Sequence, residues 1–556
     1  MLVRTANPLE PQAPPRLRAW LGLAKLATAL GTVLVLLWWL QDWPRLGRML
    51  TAWSQGQWGQ FLAAQLMLGL SLGVLVWRFY LVWTYRPCPA CADHELPLIT
   101  VVVPAYNEGR QVRDTLESIL ASDYPPQRLQ LIGVDDGSAD DTWDWLRRAA
   151  AEHPGRVELI RQPRNQGKRR ALYVAFLRSR GEVLVTIDSD SLVEPPTLRR
   201  LVSPLVRDPR VGAVAGNVRV LNRCQGWLPL MMDAAFVYGF DFVRASQSRV
   251  GAVLCTPGAL SAYRRDLVLP VLEQWVNQTF LGRPAGIGED RAMTNLVLKS
   301  GHHVVLQQDA VVYTKVPTRY QGLSRMLLRW ARSNLRESWL MAPYLFRRLR
   351  DGSAAGARIN LFMEMYGLAI ARPLTTVAVA WYLLHAPLSL AWNLLVGSVL
   401  AGLVPLWVYW QRHRSDDCLW AVLYGVFNIF ALTWIPVYAL LTPQNSAWLT
   451  RQLPPARDTT PARQRRTWGW YPAGLASALG GACFCLGLNL SLLLGPGQAL
   501  AAASASDDSM TRLPLWTAEL DLSDLPNLVD GIWNVLSHDT ASYFGEVLLN
   551  LLSLAG

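Results

Sequence analysis

A helix of about 20 apolar residues can cross a bilayer, and few water-soluble folds need so long an apolar run. This chain of 556 residues has several such runs. The first is 20–40, interrupted only by Lys25, whose stem can carry its charge to the interface. The second is 61–83, with Arg78 near its end. The first ends in Trp38, Trp39 and Trp43 and lacks a small-residue cleavage site, so it does not read as a cleaved signal peptide. From Arg86 to about Arg350 no run is long enough to span. Further apolar segments follow at 359–385, 387–410, 418–441 and 472–495, before a tail at 496–556. The chain therefore reads as a membrane protein carrying one large water-facing region.

Composition agrees. Hydrophobic residues make up 51% and charged residues 17%, which excludes a disordered chain. Seven scattered cysteines make no disulfide framework, and Cys88-x-x-Cys91 has no second pair to complete a zinc site. The net charge of +12 suits an anionic membrane surface, nucleic acid or an anionic substrate. Basic residues mark the cytoplasmic side. Arg4, Arg16 and Arg18 place the N-terminus there, so the water-facing region, two spans later, is cytoplasmic too. The loop with Arg451, Arg457, Arg463, Arg465 and Arg466 should share that side. Three apolar segments lie between the two, so one of them does not cross. The expected one is 359–385, which holds Glu364 and Arg372; Pro436 makes 418–441 a second suspect.

Within the water-facing region, β-branched runs alternate with helical spacing. Residues 98–104, 129–134, 157–161 and 183–187 read as strands; 107–121, 140–150 and 168–177 read as helices. That order implies a mainly parallel α/β sheet, whose ligands sit beyond the carboxyl ends of its strands. Polar clusters fall at those ends. Asp188-Ser189-Asp190 offers two carboxylates for a hard cation such as Mn²⁺ or Mg²⁺, though a bare D-x-D is also a solvated turn. Asp135-Asp136-Gly137-Ser138 can hold the base and ribose of a nucleotide, and serves equally as a turn and helix cap. Asn165 to Arg170 sets a glycine and three cations at a helix start, fit for a diphosphate or for a solvated helix end. No G-x-G-x-x-G follows the first strand, so a sugar nucleotide fits better than a dinucleotide.

The motifs VVVPAYNE (101–108), VDDGSADDT (134–142), NQGKRRAL (165–172) and TIDSDS (186–191) resemble family 2 glycosyltransferases of GT-A fold. Further motifs look like membrane-integrated polysaccharide synthases, hyaluronan synthases above all. They are GNVRVLN (216–222), the stretch 244–264 around LCTPG, GEDRAMTN (288–295), TKVPTRY (314–320), RWARSNLRES (329–338) and WLTR (448–451). The resemblance implies a Rossmann-like GT-A cytoplasmic domain joined to an α-helical transmembrane bundle with interfacial helices.

It also implies roles. Ala105, Asn107 and Glu108 would bind the donor, Asp135 and Asp136 its uridine end, and Lys168 and Arg169 would lie near its diphosphate. Asp188 and Asp190 would hold nucleotide and metal. Asp290 would be the general base, with Glu289 beside it. Arg329 and Trp330 would contact diphosphate and acceptor sugar. Cys255 and Gly258 would lie at the acceptor, and Trp448 and Arg451 would close over the donor. Three positions depart from the family pattern: Met326 stands for the Gln of Q-x-x-R-W, Glu289 for a common Asp, and Asn217 for a frequent Asp.

The implied activity is that of a metal-dependent hexosyltransferase of the cytoplasmic face. It would be a processive, inverting synthase that polymerises UDP-sugars into a β-linked polysaccharide and translocates the product. Hyaluronan from UDP-GlcNAc and UDP-GlcA is the leading expectation. A chitin- or cellulose-like homopolymer and a single transfer to a lipid-linked acceptor are the alternatives. The expected organisation is two helices in 1–85, the transferase domain in 86–316 and an amphipathic interface helix in 317–350. Membrane or interface helices would follow in 351–441, a cytoplasmic loop in 442–471, a span in 472–495 and a tail in 496–556. The basic helix in 319–344 would lie on the membrane surface.

Overall fold

In the computed structural model, the strand Ile99–Ala105 (β1) is buried at every position, as a β-branched run covered by helices on both faces should be. The structure describes residues 15–41, 62–351, 353–367 and 387–443, with 379, 383, 384 and 445. Helices α1 (Pro15–Gln41) and α2 (Leu62–Thr84) precede β1. After β1 come α3 (Gln111–Leu120), β2 (Leu129–Asp135), α4 (Thr142–Glu152), β3 (Val157–Arg161), α5 (Lys168–Leu177), β4 (Val183–Ile187) and β5 (Ser191–Val193). The alternation expected from the sequence holds. The first helix starts four residues late, because Asn107 (φ 52°) and Gly109 (φ 58°) both occupy the left-handed region and turn the chain first.

Next come α6 (Thr197–Arg207), β6 (Val211–Val220) and a helix running from Trp227 to Arg249. That helix has three parts: α7 (Trp227–Val237), a π-helical stretch Tyr238–Arg244, and α8 (Ala245–Arg249). The strands β7 (Leu260–Arg264) and β8 (His303–Thr314) flank α9 (Leu272–Val276) and α10 (Glu289–Lys299). The eight strands form one sheet in the order β3-β2-β1-β4-β7-β6-β8-β5. β1 pairs in parallel with β2 on one side and β4 on the other. The chain order reverses there, so the crevice beyond those strand ends is where a ligand is expected. Pro104, which lacks an N–H, is tolerated in a central strand for the same reason. Pairing with β4 ends at Val102, while pairing with β2 continues to Ala105.

The remaining helices are α11 (Tyr320–Met341), α12 (Ala355–Tyr366), α13 (Pro387–His413), α14 (Leu419–Phe427) and α15 (Trp434–Leu441). Two described helices are long and apolar enough to cross a membrane, Leu17–Trp39 and Leu390–His413. A third candidate, Asp416–Leu432 with Trp434–Leu441, is bent by 45°. Pro436 explains the bend, since it can neither donate to the carbonyl four residues back nor leave room for it. On the basic helix α11, Arg332 and Arg336 are buried by protein, because α11 packs against α10, α12 and α15. Arg325 is exposed.

Candidate active site

A cleft of about 700 Å³ opens at the β1/β4 reversal and runs to the C-terminal helices. Its walls include Ala105, Asp136, Lys168, Asp188 and Asp190 at the sheet end. Cys255, Gly258, Glu289, Asp290, Arg329 and Trp330 also line it, and Glu364 and Tyr424 do so from the C-terminal helices. The size suits a nucleotide sugar with room for a second sugar.

The loops at the strand ends are tied to one another. The Asn107 amide N–H donates to Ser138 Oγ, and the Asn107 side-chain oxygen accepts from Ala139 N–H. Glu108 Oε1 accepts from Ser189 Oγ at 2.8 Å. These two residues, expected at the donor, brace the first loop against the second and fourth. Asp135 turns into its own loop, accepting from Ser138 N–H at 3.0 Å and pairing with Arg161. Asp136 faces the cleft and accepts from Gln162 and from the Gln166 and Gly167 amides. Burial pushes its carboxyl up to about 6, against the pull of those two backbone donors.

Lys168 holds the centre. Its ammonium pairs with Asp188 and, at 3.0 Å, with Glu289. A Cβ on Gly258 would stand 2.6 Å from Lys168 Nζ, so a side chain there would make the ammonium shift. Arg169 does not join Lys168 in the cleft. It is buried, donates to Trp275 O and Gln278 Oε1, and stacks on the Trp275 ring at 5.4 Å. Neighbours on a helix point about 100° apart, so only one of the pair can face the diphosphate side.

Asp290 sits in the first turn of α10 and also lines the cleft. Its Oδ1 accepts from Arg291 N–H at 2.7 Å, and its Oδ2 accepts from Gly258 N–H at 3.2 Å. Cys255 Sγ lies 3.9 Å away. Burial, then the adjacent Glu289 carboxylate, raises the Asp290 carboxyl above its ordinary range. Burial would raise Glu289 as well, but the Lys168 ammonium and Arg329 overcome it and hold that carboxyl low. The two neighbouring acids are thus driven apart, one toward proton uptake and one toward permanent charge. Burial and Asp290 push the Cys255 thiol up to about 12, which leaves it a protonated bystander rather than a nucleophile.

On α11, Trp330 is 40% exposed to the open cleft and leans on Phe236 with centroids 6.2 Å apart. Met326 lines the same wall in the position where the family motif has Gln. Residues that the sequence did not single out also shape the site. Gly288 (φ 74°) leads into Asp290, and a Cβ there would meet Ser333 Oγ at 1.8 Å. Arg336 donates to Ile287 O and to Glu337 Oε1. Glu364, on α12, pairs with Arg291 at 3.4 Å. A lone acid in an apolar segment was the available signal for Glu364. Phe236 lies in an apolar helix with no motif to mark it. Trp448 and Arg451 lie outside the described residues.

Asp188 and Asp190 both line the cleft and offer hard oxygen donors. Among the described residues no group of three or more His, Cys, Asp or Glu could hold a metal ion. The donor set therefore fits Mn²⁺ or Mg²⁺ only as a cation shared with substrate phosphates and water, which is how Mg²⁺ commonly binds.

A protein-family model described as "Glycosyltransferase like family 2" matches residues 97–333. An N-acetylglucosaminyltransferase of Rhizobium meliloti (strain 1021) is 33% identical over 373 residues, covering 66% of this chain and 85% of that protein. An N-acetylglucosaminyltransferase of Mesorhizobium japonicum is 36% identical over 363 residues, covering 64% of this chain and 82% of that protein. Among solved structures, a mannosyltransferase from Pyrobaculum calidifontis in complex with GDP-Man and Mn²⁺ aligns with a TM-score of 0.46 at 23% identity. That alignment covers 66% of this chain and 98% of that chain.

Proposed function

Since the chain belongs to glycosyltransferase family 2, we propose that it is an inverting N-acetylglucosaminyltransferase that extends a β-linked chain from UDP-GlcNAc at the cytoplasmic face. The observation that carries this reading is the single cleft that joins Lys168, Asp188 and Asp190 to Asp290, Trp330 and Tyr424. The relatives' name favours GlcNAc as the donor sugar, and with it the homopolymer alternative over hyaluronan.

In this reading the uridine end lies by Asp136 and the diphosphate by Lys168 and Arg329. Asp290 takes the proton of the acceptor hydroxyl as its oxygen bonds to the anomeric carbon, and the bond from that carbon to the UDP oxygen breaks on the opposite side. A base with a raised carboxyl pKa suits that step, because proton transfer is most effective when the base is matched to the working pH. Lys168 and Arg329 neutralise charge on the departing UDP. When bound at Asp188 and Asp190, Mn²⁺ or Mg²⁺ would add further positive charge beside the same phosphates. Trp330 offers its face to the acceptor ring. Tyr424 and Glu364 bring C-terminal helices into the wall of the cleft, which supports processive growth and export through the bundle.

The test is to incubate the purified full-length protein with UDP-GlcNAc, with and without UDP-GlcA, in Mn²⁺ or Mg²⁺, and to size the product. A ladder of GlcNAc units from UDP-GlcNAc alone is expected. A strict need for both donors would restore hyaluronan, and one added sugar only would remove processivity.

A further inference from the structure

The helix running from Trp227 to Arg249 forms the wall of the cleft on which Trp330 leans through Phe236. Phe236, Gly239, Phe240, Val243 and Arg244 face the cleft, and Arg244 lies over the Phe240 ring at 4.0 Å. The turns that carry four of these five residues are π-helical, Tyr238–Arg244. A π stretch is an intrinsically poor helix, kept where function or packing requires the shifted register.

The same stretch sends Asp241 the other way, where its buried carboxylate meets four polar side chains. Asp241 Oδ1 accepts from Asn217 Nδ2 at 3.1 Å and from Gln308 Nε2 at 3.0 Å. Asp241 Oδ2 pairs with Arg219 and, at 3.5 Å, with Arg412. Asn217 and Arg219 belong to β6, and Gln308 to the irregular stretch of β8 between Leu306 and Val311. Arg412 belongs to α13, one of the two helices able to cross a membrane. Two further contacts repeat the link. Asp233 accepts from the Tyr409 hydroxyl at 2.9 Å, and Phe242 packs on Phe79, which also meets Trp407. One element thus has the acceptor side of the cleft on one face and a membrane helix bound to a buried carboxylate on the other.

We propose that the Asp241–Arg412 pair is a positioning device for acceptor binding. It locks the π register of Tyr238–Arg244 to α13 and so sets where the Phe236–Phe240 wall, on which Trp330 leans, stands in the cleft. The proposal rests on the acceptor lying at Trp330. Arg412 is the residue to change, because Arg219, Asn217 and Gln308 still satisfy Asp241 without it and the fold survives. Its side chain is 44% exposed, so removing it strands no buried charge.

The experiment compares the full-length wild type with Arg412→Gln and Arg412→Lys in lipid nanodiscs. It reads the KM for UDP-GlcNAc, the KM for an added GlcNAc oligosaccharide, kcat, UDP affinity, product length and melting temperature. Arg412→Gln should raise the acceptor KM by roughly 2- to 30-fold, the range seen when a coupling residue is changed, and shorten the product. The donor KM, UDP affinity and melting temperature should stay at wild-type values, and Arg412→Lys should restore most of the acceptor effect. An unchanged acceptor KM and product length would overturn the proposal, as would parallel loss of donor affinity and melting temperature. A wild type that transfers no GlcNAc refutes the proposed function instead. A wild type that adds a single sugar still reports on the pair through the acceptor KM.

Discussion

Asp290 and Gly288 are where single atoms matter most. Asp290→Asn keeps the shape and one of the two backbone contacts, to Arg291 N–H or to Gly258 N–H, but removes the base. Transfer should fall by about 10²- to 10⁴-fold, with UDP affinity near wild type; full activity would remove Asp290 from the role. A base must be ionised, so wild-type kcat/KM should fall on the acid side, with a midpoint above the ordinary Asp range. The same raised pKa predicts a stability effect of opposite sign. A carboxyl that holds its proton more tightly folded than unfolded loses stability for the protein as pH rises through that interval. At neutral pH the charged form of Asp290 is therefore a cost to the fold, and wild-type Tm should fall as pH rises through that interval. Gly288→Ala should do the reverse of stabilising. A side chain at φ 74° with Ser333 Oγ 1.8 Å from its Cβ should cost about 1–3 kcal/mol for the backbone alone, read as a drop in Tm. Gly288 stood within a motif in the sequence, but its reason lies on another helix, and no spacing rule reaches from 288 to 333.

Elements explain which site residues were legible and which were not. The strands and helices that carry Asp136, Lys168, Asp188 and Asp190 follow local rules: β-branched runs, polar strand ends and a 3.6-residue period. Their positions in the sheet were readable from the chain. The difference between Lys168 and Arg169 was not, because it depends on where Trp275 and Gln278 arrive from 106 and 109 residues away. The burial of Arg332 and Arg336 within the basic helix α11 was hidden for a related reason. Its amphipathic period is genuine, but whether arginines face lipid or protein is decided by partners elsewhere in the chain. Arg336 is the clearest instance. Its buried guanidinium joins Ile287 O, just before Gly288, to Glu337, which also accepts from Gln278 and Asn295. Arg336→Met should destabilise by about 3–5 kcal/mol, the cost of stranding a buried partner. Arg336→Met with Glu337→Met should recover part of that loss in thermal unfolding. Equal losses in the single and double variants would mean that the pair is not coupled.

At the scale of the whole molecule, contacts bear on the parity problem that charge alone left open. Trp38, near the end of α1, packs edge-on against Trp392, near the start of α13, at 4.8 Å. Lys25, near the beginning of α1, pairs with Asp416 and Asp417, just past the end of α13. The two helices therefore run antiparallel, and the end of α13 meets the catalytic domain through Arg412 and Asp241. The bent segment after α13 touches that domain at its start, where Asp417 pairs with Arg223. It touches α11 at its finish, where Thr442 accepts from Arg332. On the expected cytoplasmic placement of that domain, a segment held against it and against α11 at its two ends is predicted not to cross, and α13, antiparallel to α1, is predicted to start on the outer side. The parity expected from Arg451 to Arg466 then gives the non-crossing role to 418–441. An epitope inserted between His385 and Pro387 of the full-length chain should be reached from outside intact cells. One inserted after Arg466 should be reached only after permeabilisation. Protection of the first epitope would return the non-crossing role to 359–385, and exposure of the second would refute the parity on which both assignments stand.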